Sequence, residues 1–545
     1  MKILLVSIDS KYIHTNLAVR YLKANCDFPV EVLEFTIKDP LDKIVSAIKK
    51  AAPDLIGFGV YIWNLLLIKQ LTRAIKQALP ARILWGGPEV SYDAESFLKD
   101  DPVDFILVEE AELAFNRLIH ALIENSSLAE VSNLVYRDKG VIRQNPVDTI
   151  DILDSLKNPY LNPDDDQKIP NRIQYVESSR GCPFACTYCL ASLKRQVRLF
   201  PLERVKADLD RLQAKGAKTF KFLDRTFNLD PNRVIELLKH IASNHHPGTS
   251  FQFEICGDLL TDQLIDDLHE FAPPGLFRFE IGIQTTNSHS IIAVKRKQNL
   301  EKLLTNIKRL QRANIIDLHL DLIAGLPGET WDSFRLTFDQ VFRLHAKELQ
   351  LGFLKFLRGT PLRRDAETLG YLYDPFPPYE IRHSPTLSED DLDRIRQVEA
   401  MHSIYWNKGF LNATLRWITE RIASPTDFFL NLANFYQTHH YDATRYQLAD
   451  VFYRFDAFMK EKYPEIQVYA HHLLKQDYLA YHTLKPKIWW EQKAIHKNDI
   501  LRRYYEYDKT FSLDILYKYA LVTTAETGYL IALYLPEGLR LLYLK

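Results

Sequence analysis

Short apolar runs alternate with amphipathic stretches over about the first 125 residues, and the runs are rich in β-branched side chains. Runs of this length bounded by turn residues are typical of buried strands, and the stretches between them are typical of helices that cover a sheet. Five such units predict a Rossmann-like, doubly wound parallel α/β sheet in a domain spanning residues 1–130. The predicted strands are Ile3–Ser7, Val30–Phe35, Leu55–Tyr61, Ile83–Trp85 and Phe105–Val108.

A second alternation follows a turn-rich stretch. Residues 131–172 contain Asp138-Lys139-Gly140, which predicts a hairpin, and several X-Pro pairs that indicate an extended linker. Six further strand–helix units predict a partial (β/α)6 barrel over residues 173–372, since eight units close the usual form. Its predicted strands are Ile173–Glu177, Thr219–Leu223, Phe251–Ile255, Phe277–Ile283, Leu318–Ile323 and Leu349–Phe356.

The alternation then stops, and residues 373–545 predict a mostly helical, aromatic-rich domain. Residues 402–545 hold 17 of the 28 Tyr and 18 Lys+Arg against 15 Asp+Glu. One interpretation is a helical domain whose rings fill its own core, and the other is a basic, aromatic surface that binds RNA. The residues that suggest RNA binding are Lys485, Lys487, Trp489, Trp490, Lys493, Lys497, Arg502, Arg503, Tyr504 and Tyr505.

Charge and composition narrow the functional classes. The 545 residues carry 69 Lys+Arg against 70 Asp+Glu, a net charge of -1, which excludes a strongly basic nucleic-acid coat and an acidic tail. The amino terminus lacks the basic start, long apolar run and cleavage site of a signal peptide. The nearest approach to a membrane span, Ile62 to Ile68, is far shorter than the ~20 apolar residues that a bilayer requires. We therefore expect a cytoplasmic protein without a membrane partner.

Three of the five cysteines, Cys182, Cys186 and Cys189, lie within eight residues directly after the first predicted barrel strand. A structural zinc ion needs four ligands, and no second Cys pair or His-x3-His partner is present in the sequence. A redox Cys-x-x-Cys pair would not need the third thiol. Thiolates also hold iron–sulfur clusters, and three of them on a four-iron cluster leave one iron open. We favour a [4Fe-4S] site, with zinc and inert cysteines as the alternatives.

The Cys-x3-Cys-x2-Cys spacing, with an aromatic residue before the last cysteine, resembles the radical S-adenosylmethionine (SAM) enzymes. The resemblance implies that SAM chelates the open iron, that its reductive cleavage yields a 5′-deoxyadenosyl radical, and that the protein is oxygen-sensitive. It also implies an external electron donor such as flavodoxin or ferredoxin. The Gly-Gly-Glu sequence that is common in the family after the second strand is absent. The polar residues at the strand ends could either contact SAM or only cap the strands. The implied SAM contacts are Tyr188, Asp224, Thr226, Glu254, Gln284, Gly325 and Leu326.

A doubly wound domain directly ahead of such a barrel resembles the cobalamin-binding radical SAM enzymes, including a subfamily whose last domain has no generally assigned role. The resemblance covers nearly the whole chain. Its Asp-x-His-x-x-Gly motif for an axial imidazole is missing, because Lys11 stands two residues after Asp9 and the spacing of His14 is wrong. We expect base-off cobalamin with an axial ligand other than His, or none. The implied cobalamin contacts are Gly57, Tyr61, Trp63, Asn64, Gly86, Gly87, Pro88, Ser91 and Glu110.

Cys256 is the one candidate catalytic residue outside the cysteine cluster. Free cysteine is common in protein cores, so packing is one interpretation. Its alternation with Phe253 and Ile255 is also compatible with a side chain that faces the barrel lumen. There it would serve as a hydrogen-atom donor or a transient thiol.

The two resemblances together imply a cobalamin-dependent radical SAM methyltransferase that acts on an unactivated carbon or a sulfur-linked group. The substrate is not identified, and a tRNA base is one candidate. The first alternative is a radical SAM cyclase or rearranging enzyme that has the same modules without methyl transfer. The second is a cobalamin or redox sensor, and cleavage of SAM by the reduced protein separates the enzymes from the sensor.

Overall fold

The computed structural model describes residues 1–486, 488–490 and 495–545. Lys487 and Lys493, two cations considered for RNA binding, lie outside the described residues. The chain forms two compact units, of which the first comprises Met1–Thr330 and Gly352–Ser388. The second comprises Trp331–Leu351 and Glu389–Lys545. The chain therefore leaves the first unit at Thr330, returns at Gly352 and leaves again after Ser388.

A seven-stranded sheet opens the first unit. Its strands are β1 Ile3–Asp9, β2 Val30–Thr36, β3 Leu55–Gly59, β4 Arg82–Gly86, β5 Phe105–Leu107, β6 Leu134–Asp138 and β7 Val141–Gln144. The helices between them are α1 Leu17–Asn25, α2 Leu41–Ala51, α3 Leu65–Ala78, α4 Ala94–Asp100 and α5 Glu112–Glu124. The strand order is β2-β1-β3-β4-β5-β6-β7, with β1 to β5 parallel and β6 and β7 antiparallel.

Helices cover both faces of this sheet, which explains why all seven residues of β1 are buried. Ile44 of α2 and Ile68 of α3 belong to the core on one face, and Val19 of α1 and Phe115 of α5 belong to the core on the other. The five predicted strands and the doubly wound architecture are confirmed. The strand order reverses between β1 and β3, and ligands of such sheets bind at the carboxyl ends of the strands beside that reversal.

The predicted hairpin at residues 138–140 is confirmed, and it joins the first sheet. Its first strand pairs antiparallel with β5. Residues 134–144 belong to the segment 131–172, which was predicted to be a linker, but they extend the sheet instead. The sequence does not reveal this pairing, because the partner strand lies far upstream and leaves no local pattern. The rest of the segment is anchored through Glu34, whose carboxylate accepts hydrogen bonds from Arg20, Lys168 and Arg172 at 2.6–3.0 Å.

A six-stranded partial barrel follows, as the sequence predicted, and its sheet belongs to the first unit except for residues 348–351 of its last strand. Its sheet comprises β8 Gln174–Val176, then β11 Thr219–Phe222, β12 Ser250–Ile255, β13 Phe277–Gln284, β14 Asp317–Ala324 and β15 Glu348–Phe353, in that order. The short strands β9 Ser179–Arg180 and β10 Arg198–Leu199 pair with each other, as do β16 Leu372–Tyr373 and β17 Ile381–His383. The helices are α6 Leu202–Ala214, α7 Pro231–Asn244, α8 Asp262–Phe271, α9 Ser288–Ala293, α10 Leu300–Ala313 and α12 Pro361–Arg364; α11 Trp331–Phe342, between α10 and α12 in the chain, belongs to the second unit.

Burial alternates along the barrel strands. In β12, Phe251, Phe253 and Ile255 are buried, whereas Gln252 and Glu254 are only partly buried. The buried face contacts neighbouring strands through aromatic rings, such as Phe220 and Phe251 stacked at 4.5 Å. Polar side chains are thereby left to the opposite face of the strands.

The second unit is mostly helical, as predicted. Its helices are α11 Trp331–Phe342, α13 Glu389–His402, α14 Asn412–Thr419, α15 Pro425–Thr438, α16 Leu448–Lys462, α17 Pro464–Leu479, α18 Lys497–Tyr507 and α19 Leu513–Tyr519. An antiparallel sheet of β18 Ala520–Thr524, β19 Tyr529–Leu535 and β20 Gly538–Leu544 ends the chain and was not predicted. Among the described residues, no helix combines the length and the apolar character that crossing a bilayer requires.

Candidate active site

The three clustered cysteines lie on a loop whose two ends are joined by β9 and β10. Arg180 pairs with Arg198 across this two-stranded ladder. Gly181 adopts a φ of +100°, and a Cβ there would lie 2.1 Å from the carbonyl oxygen of Gln196, so only glycine fits. Inside the loop, the Cys182 N–H donates to the Lys194 carbonyl at 2.9 Å. The loop from 181 to 197 is therefore closed at its base and presents all three thiols.

The thiols are free, and Cys182 and Cys186 lie close enough to Cys189 to raise its pKa. Burial raises the pKa of Cys189. The neighbouring thiols of Cys186 and Cys182 raise it further, and the positive charge of Arg225 lowers it. No group of three ligands around a single metal ion is found within the described part of the chain. An iron–sulfur cluster does not need such a group, because its cysteines bind different irons. Three free thiols on one closed loop fit a cluster.

Two polar side chains flank the thiols. The hydroxyl of Thr226, one of the predicted SAM contacts, lies 3.6 Å from the Cys182 sulfur. The Arg296 guanidinium lies 3.9 Å from the Cys186 sulfur and donates to the Tyr188 hydroxyl at 3.4 Å and to the Gly282 carbonyl at 2.5 Å. Arg296 was missed by the sequence reasoning, because it stands in a run of three basic residues that resembles a solvated surface.

Asp224, another predicted SAM contact, is fully engaged by the protein. Its carboxylate accepts hydrogen bonds from the Ser178 N–H at 2.9 Å, and from the Ser178 and Ser179 hydroxyls at 2.6 Å each. Burial raises its pKa, although these hydrogen bonds oppose the rise. The structure thus gives Asp224 a role in fixing the segment between β8 and the cysteine loop.

Glu254, at the end of β12, is paired with Arg225 at 3.2 Å. Burial raises the pKa of Glu254 to about 7, against the opposing charge of Arg225, and the nearby carboxylates of Glu280 and Asp321 add to the rise. Arg225 also lines the large cavity described below. Glu254 is therefore a group that can gain or lose a proton close to neutral pH.

The remaining predicted SAM contacts lie in strained or buried turns. Gln284 has a φ of +69°, and Gly325 a φ of +94°. Leu326 is fully buried. The buried carboxylate of Glu329 accepts a hydrogen bond from the Gly325 N–H at 2.7 Å and holds this turn in place.

Cys256 lies at the end of β12 and is held through its backbone. Its N–H donates to the Asn228 side chain at 2.8 Å, and its carbonyl accepts from the same side chain at 2.8 Å. Burial raises the pKa of the thiol to about 12, and Asp258 adds to the rise, so the thiol is neutral at pH 7.

A cavity of about 780 Å³ connects the first sheet to the cysteine loop within the first unit. Its floor is apolar and is formed by residues of β1, α1, β4 and β5, including Leu5, Val19 and Leu107. Its opposite wall includes Gly181, next to the first cysteine, and Arg225. One cavity is thus shared by the carboxyl ends of the first sheet and the base of the predicted cluster site.

Most of the predicted cobalamin contacts line this cavity. They are Gly57, Tyr61, Trp63, Gly86, Gly87, Pro88 and Glu110. Asn64 and Ser91 do not belong to its lining. The Asn64 side chain donates to the carbonyls of Ile8 and Gly59 at 3.0 Å each, and Ser91 bridges the Gly87 carbonyl and the Glu109 N–H. Both residues support the turns that form the wall.

Close packing within the protein explains two glycines of this wall. Gly87 has a φ of +112°, and a Cβ there would lie 2.6 Å from the Val60 carbonyl oxygen. A Cβ on Gly57 would lie 2.6 Å from the Leu5 side chain, at the apolar floor. Tyr61 and Trp63 stack on each other at 4.4 Å with nearly parallel rings beside these turns. A cavity of about 780 Å³ with a largely apolar lining suits a corrin.

His14 and Asp9 also line the cavity. The Nδ1 atom of His14 lies 2.8 Å from the Tyr175 hydroxyl, and burial lowers the pKa of His14. Burial raises the pKa of Asp9 to about 6, although the Ser7 hydroxyl opposes the rise. The axial ligand of cobalamin stays a prediction.

The aromatic residues considered for RNA binding are largely buried in the second unit. Trp489, Trp490 and Tyr504 are buried, so their faces are not available to nucleic-acid bases. Arg502 and Arg503 are exposed. The burial of these rings supports the first interpretation, in which the aromatic residues fill the core of a helical domain.

Three family models match the chain in succession. A B12 binding domain matches residues 3–119, the radical SAM superfamily matches residues 176–341, and a protein of unknown function (DUF4080) matches residues 367–525. The first two contain the glycine turns and the cysteine loop, respectively. They identify cobalamin, SAM and a [4Fe-4S] cluster as the cofactors.

Curated relatives share about a quarter of the matched residues. An uncharacterized methyltransferase of Pyrococcus horikoshii is 25% identical over 58% of this chain and 69% of its own length. The cobalamin-dependent radical SAM methyltransferase TokK of Streptomyces tokunonensis is 23% identical over 66% of this chain. The match spans only 55% of the length of TokK. An anaerobic magnesium-protoporphyrin IX monomethyl ester cyclase of Synechocystis is 24% identical over 46% of this chain and 52% of its own length.

Solved structures share the fold. The cobalamin-dependent SAM radical enzyme OxsB, with aqua-cobalamin and SAM bound, has a TM-score of 0.64 at 16% identity and covers 88% of this chain and 83% of its own. The radical SAM methyltransferase TsrM of Kitasatospora setae, with cobalamin and a [4Fe-4S] cluster bound, has a TM-score of 0.60 at 14% identity. It covers 88% of this chain and all of its own. The arrangement of a doubly wound sheet before a partial barrel is common to all three proteins.

Proposed function

Because this chain is a cobalamin-dependent radical SAM enzyme, we propose that it is a methyltransferase acting on an unactivated carbon or a sulfur-linked group. The observation that carries the proposal is the cavity of about 780 Å³, which is lined both by the glycine turns of the first sheet and by the base of the cysteine loop. When bound, cobalamin supplies a transferable methyl group, and the cluster with SAM supplies a radical that abstracts hydrogen. The similarity to proteins named as methyltransferases supports this choice.

The residues of the chain contribute placement and proton handling. The turn at Gly86 and Gly87 allows close approach of a flat ligand to the first sheet. Arg225 and Glu254 form an ion pair at the barrel end, where Glu254 can hold or release a proton near neutral pH. The apolar floor of the cavity excludes water from the buried end of the site. Placement and exclusion of water are the tasks that reactive cofactors leave to the protein.

An external electron donor such as flavodoxin or ferredoxin is part of the proposal. Reductive cleavage of SAM consumes an electron. Outside the cysteine loop the sequence has only Cys26 and Cys256, too few thiols for a second cluster that would store electrons. Reduction must therefore come from outside the chain.

A tRNA base is the finer candidate substrate, and it rests on the exposed Arg502 and Arg503. The buried tryptophans do not add to its support. The test is retention of tRNA at low salt by the wild type and by a variant in which both arginines are replaced by Ala. Binding that weakens with salt and is lost in the variant supports RNA, whereas no binding at low salt excludes it.

The central test is an anaerobic assay with SAM that carries a labelled methyl group. We expect formation of 5′-deoxyadenosine together with transfer of the label to a substrate. Cys186→Ala, which removes one thiol of the cluster loop, should abolish both. Formation of 5′-deoxyadenosine without label transfer over a broad substrate panel would contradict methyl transfer.

The same assay addresses the second candidate, a radical SAM cyclase or rearranging enzyme. The similarity to the Synechocystis cyclase favours it at an identity comparable with that of the methyltransferases. A cyclase yields 5′-deoxyadenosine and a product with no added label. The two candidates therefore differ in the fate of the methyl group.

A further inference from the structure

The turn after β5 carries three glutamates, and each pairs with a different cation of the cysteine loop. We call this turn, Glu109-Glu110-Ala111-Glu112, the acidic turn. One of its residues, Glu110, is a predicted cobalamin contact. The ion pairs are Glu109 with Lys194, Glu110 with Arg198 at 2.8 Å, and Glu112 with Arg180 at 2.7 Å.

The three cations stand at the base of the cysteine loop. Arg180 and Arg198 face each other across the β9–β10 ladder that closes the loop. Lys194 accepts a hydrogen bond at its backbone carbonyl from the N–H of Cys182, the first cluster cysteine. A displacement of these cations would therefore displace the loop that carries the thiols.

The acidic turn is also a wall of the cavity that fits cobalamin. All four of its residues line that cavity. Glu109 adopts a φ of +59°, and its N–H donates to the Ser91 hydroxyl at 3.0 Å. Ser91 in turn donates to the Gly87 carbonyl at 2.9 Å, which links the acidic turn to the glycine turn. One short segment thus contacts the corrin side and the cluster side together.

Two of the three pairs are largely shielded from solvent, which makes them stronger than surface ion pairs, whereas Lys194 in the third pair is 38% exposed. The side chains of Glu110 and Arg198 are 18% and 6% exposed, and those of Glu112 and Arg180 are 10% and 12% exposed. Arg198 also donates to the Ile150 carbonyl, and Arg180 also pairs with Glu177 at 2.9 Å. Removal of one partner leaves a partly buried charge without compensation, which is costly.

From this geometry we infer that the acidic turn couples the two cofactor sites. Occupation of the corrin cavity orders the turn, the three ion pairs transmit this order to the base of the cysteine loop, and uptake of the cluster does the reverse. By linkage, each cofactor must then raise the affinity for the other by the same factor. Glu109, Glu110 and Glu112 are positioning residues in this scheme. The inference rests on the assigned cofactors and is independent of methyl transfer.

The experiment compares hydroxocobalamin affinity, followed by absorbance, in the full chain with and without anaerobic reconstitution by iron and sulfide. For the wild type we expect about 5- to 20-fold tighter binding to the reconstituted chain, within the usual range of coupling between sites. In Glu109→Gln, and in Glu110→Gln, whose partner Arg198 is the more buried cation, this ratio should fall towards 1. In Glu109→Lys combined with Lys194→Glu, the reversed ion pair should restore it.

Asp39→Asn is the matched control, because it breaks an ion pair between Asp39, in the loop after β2, and Lys43 of α2. Its ratio should equal that of the wild type. A wild-type ratio of 1, or an equal fall in Asp39→Asn and Glu109→Gln, overturns the coupling. A wild type that binds no hydroxocobalamin in either form overturns the cofactor assignment as well. Absence of methyl transfer in the labelled-SAM assay would change neither the affinity for hydroxocobalamin nor its ratio between the two forms.

Discussion

Glu329 lies buried in the turn after β14, where its carboxyl oxygens accept hydrogen bonds from the Gly325 N–H at 2.7 Å and the Thr285 hydroxyl at 3.3 Å. Burial raises its pKa to about 8, against the opposing effect of these hydrogen bonds. The carboxyl group is therefore mostly protonated at pH 7. The turn that it holds includes Gly325 and Leu326, two of the predicted SAM contacts.

The size and sign of the pH effect follow from the pKa. A rise from 4.5 to about 8 corresponds to a free-energy difference on the order of 5 kcal/mol between the two protonation states. The folded chain binds this proton more tightly than the unfolded chain does. The stabilisation is therefore complete below pH 4.5, declines as the pH rises, and is lost above pH 8.

Glu329→Gln isolates this effect. The amide can accept from the Gly325 N–H and donate to the Thr285 hydroxyl, and it does not ionise. We expect the wild type and the variant to be equally stable near pH 4 and the variant to be more stable at pH 9.

Hydrogen exchange of the segment around Gly325 is the suitable assay, because a chain with two compact units need not unfold in one step. Rates are corrected for the intrinsic pH dependence of exchange. The exposed Glu203→Gln serves as the control and should follow the wild type. Parallel loss of protection in the wild type and in Glu329→Gln would refute the reasoning.

Three further predictions concern the cofactor sites. Gly87→Ala should weaken cobalamin binding at least about 10-fold by absorbance titration, because the added Cβ meets the Val60 carbonyl. The control is Gly140→Ala, where φ is +85° and no atom lies within 4 Å of the added Cβ, and it should leave the affinity unchanged. Cys256→Ser should keep product formation within about 2-fold, because its backbone carries its hydrogen bonds; loss of product at unchanged iron content would assign chemistry to the thiol. Arg296→Met should lower the reduction potential of the cluster by tens of millivolts in an EPR-monitored titration, because the nearby positive charge stabilises the reduced cluster. Arg296→Lys keeps the charge and should leave the potential unchanged. Equal potentials in the wild type and Arg296→Met would exclude this effect.

The periodic parts of the fold were predictable from the sequence. Both sets of strand–helix units, the hairpin at residues 138–140 and the helical character of the second unit appear in the structure, because buried parallel strands produce apolar runs that are visible locally. The pairing of β6 with β5 was not predictable, since it joins segments that are distant in sequence. The closing sheet β18–β20 was missed because its aromatic residues resemble those of the helices before it.

The candidate site was predictable where backbone geometry demands a residue type. Gly87, with a φ of +112°, belongs to this class, and the three clustered cysteines were recognisable from their spacing. The roles of Asp224, Asn64 and Ser91 depend on partners from other segments, so their engagement by the protein itself could not be read from their neighbours. The role of Arg296 could not be predicted either, because its contact, Cys186, lies 110 residues earlier in the chain.

The excursion of residues 331–351 into the second unit has a consequence for the order of synthesis. Helix α11 packs through Phe338 and Phe342 against Phe429 of α15, with ring centroids 6.1 and 5.3 Å apart. Translation proceeds at roughly 5–20 residues per second, so α11 waits roughly 5–20 s for the end of α15 to be made. During that interval its phenylalanine face is uncovered and is a natural target for chaperones. A chain cut after Ser388 would keep that face exposed permanently, so the second unit cannot be removed by simple truncation.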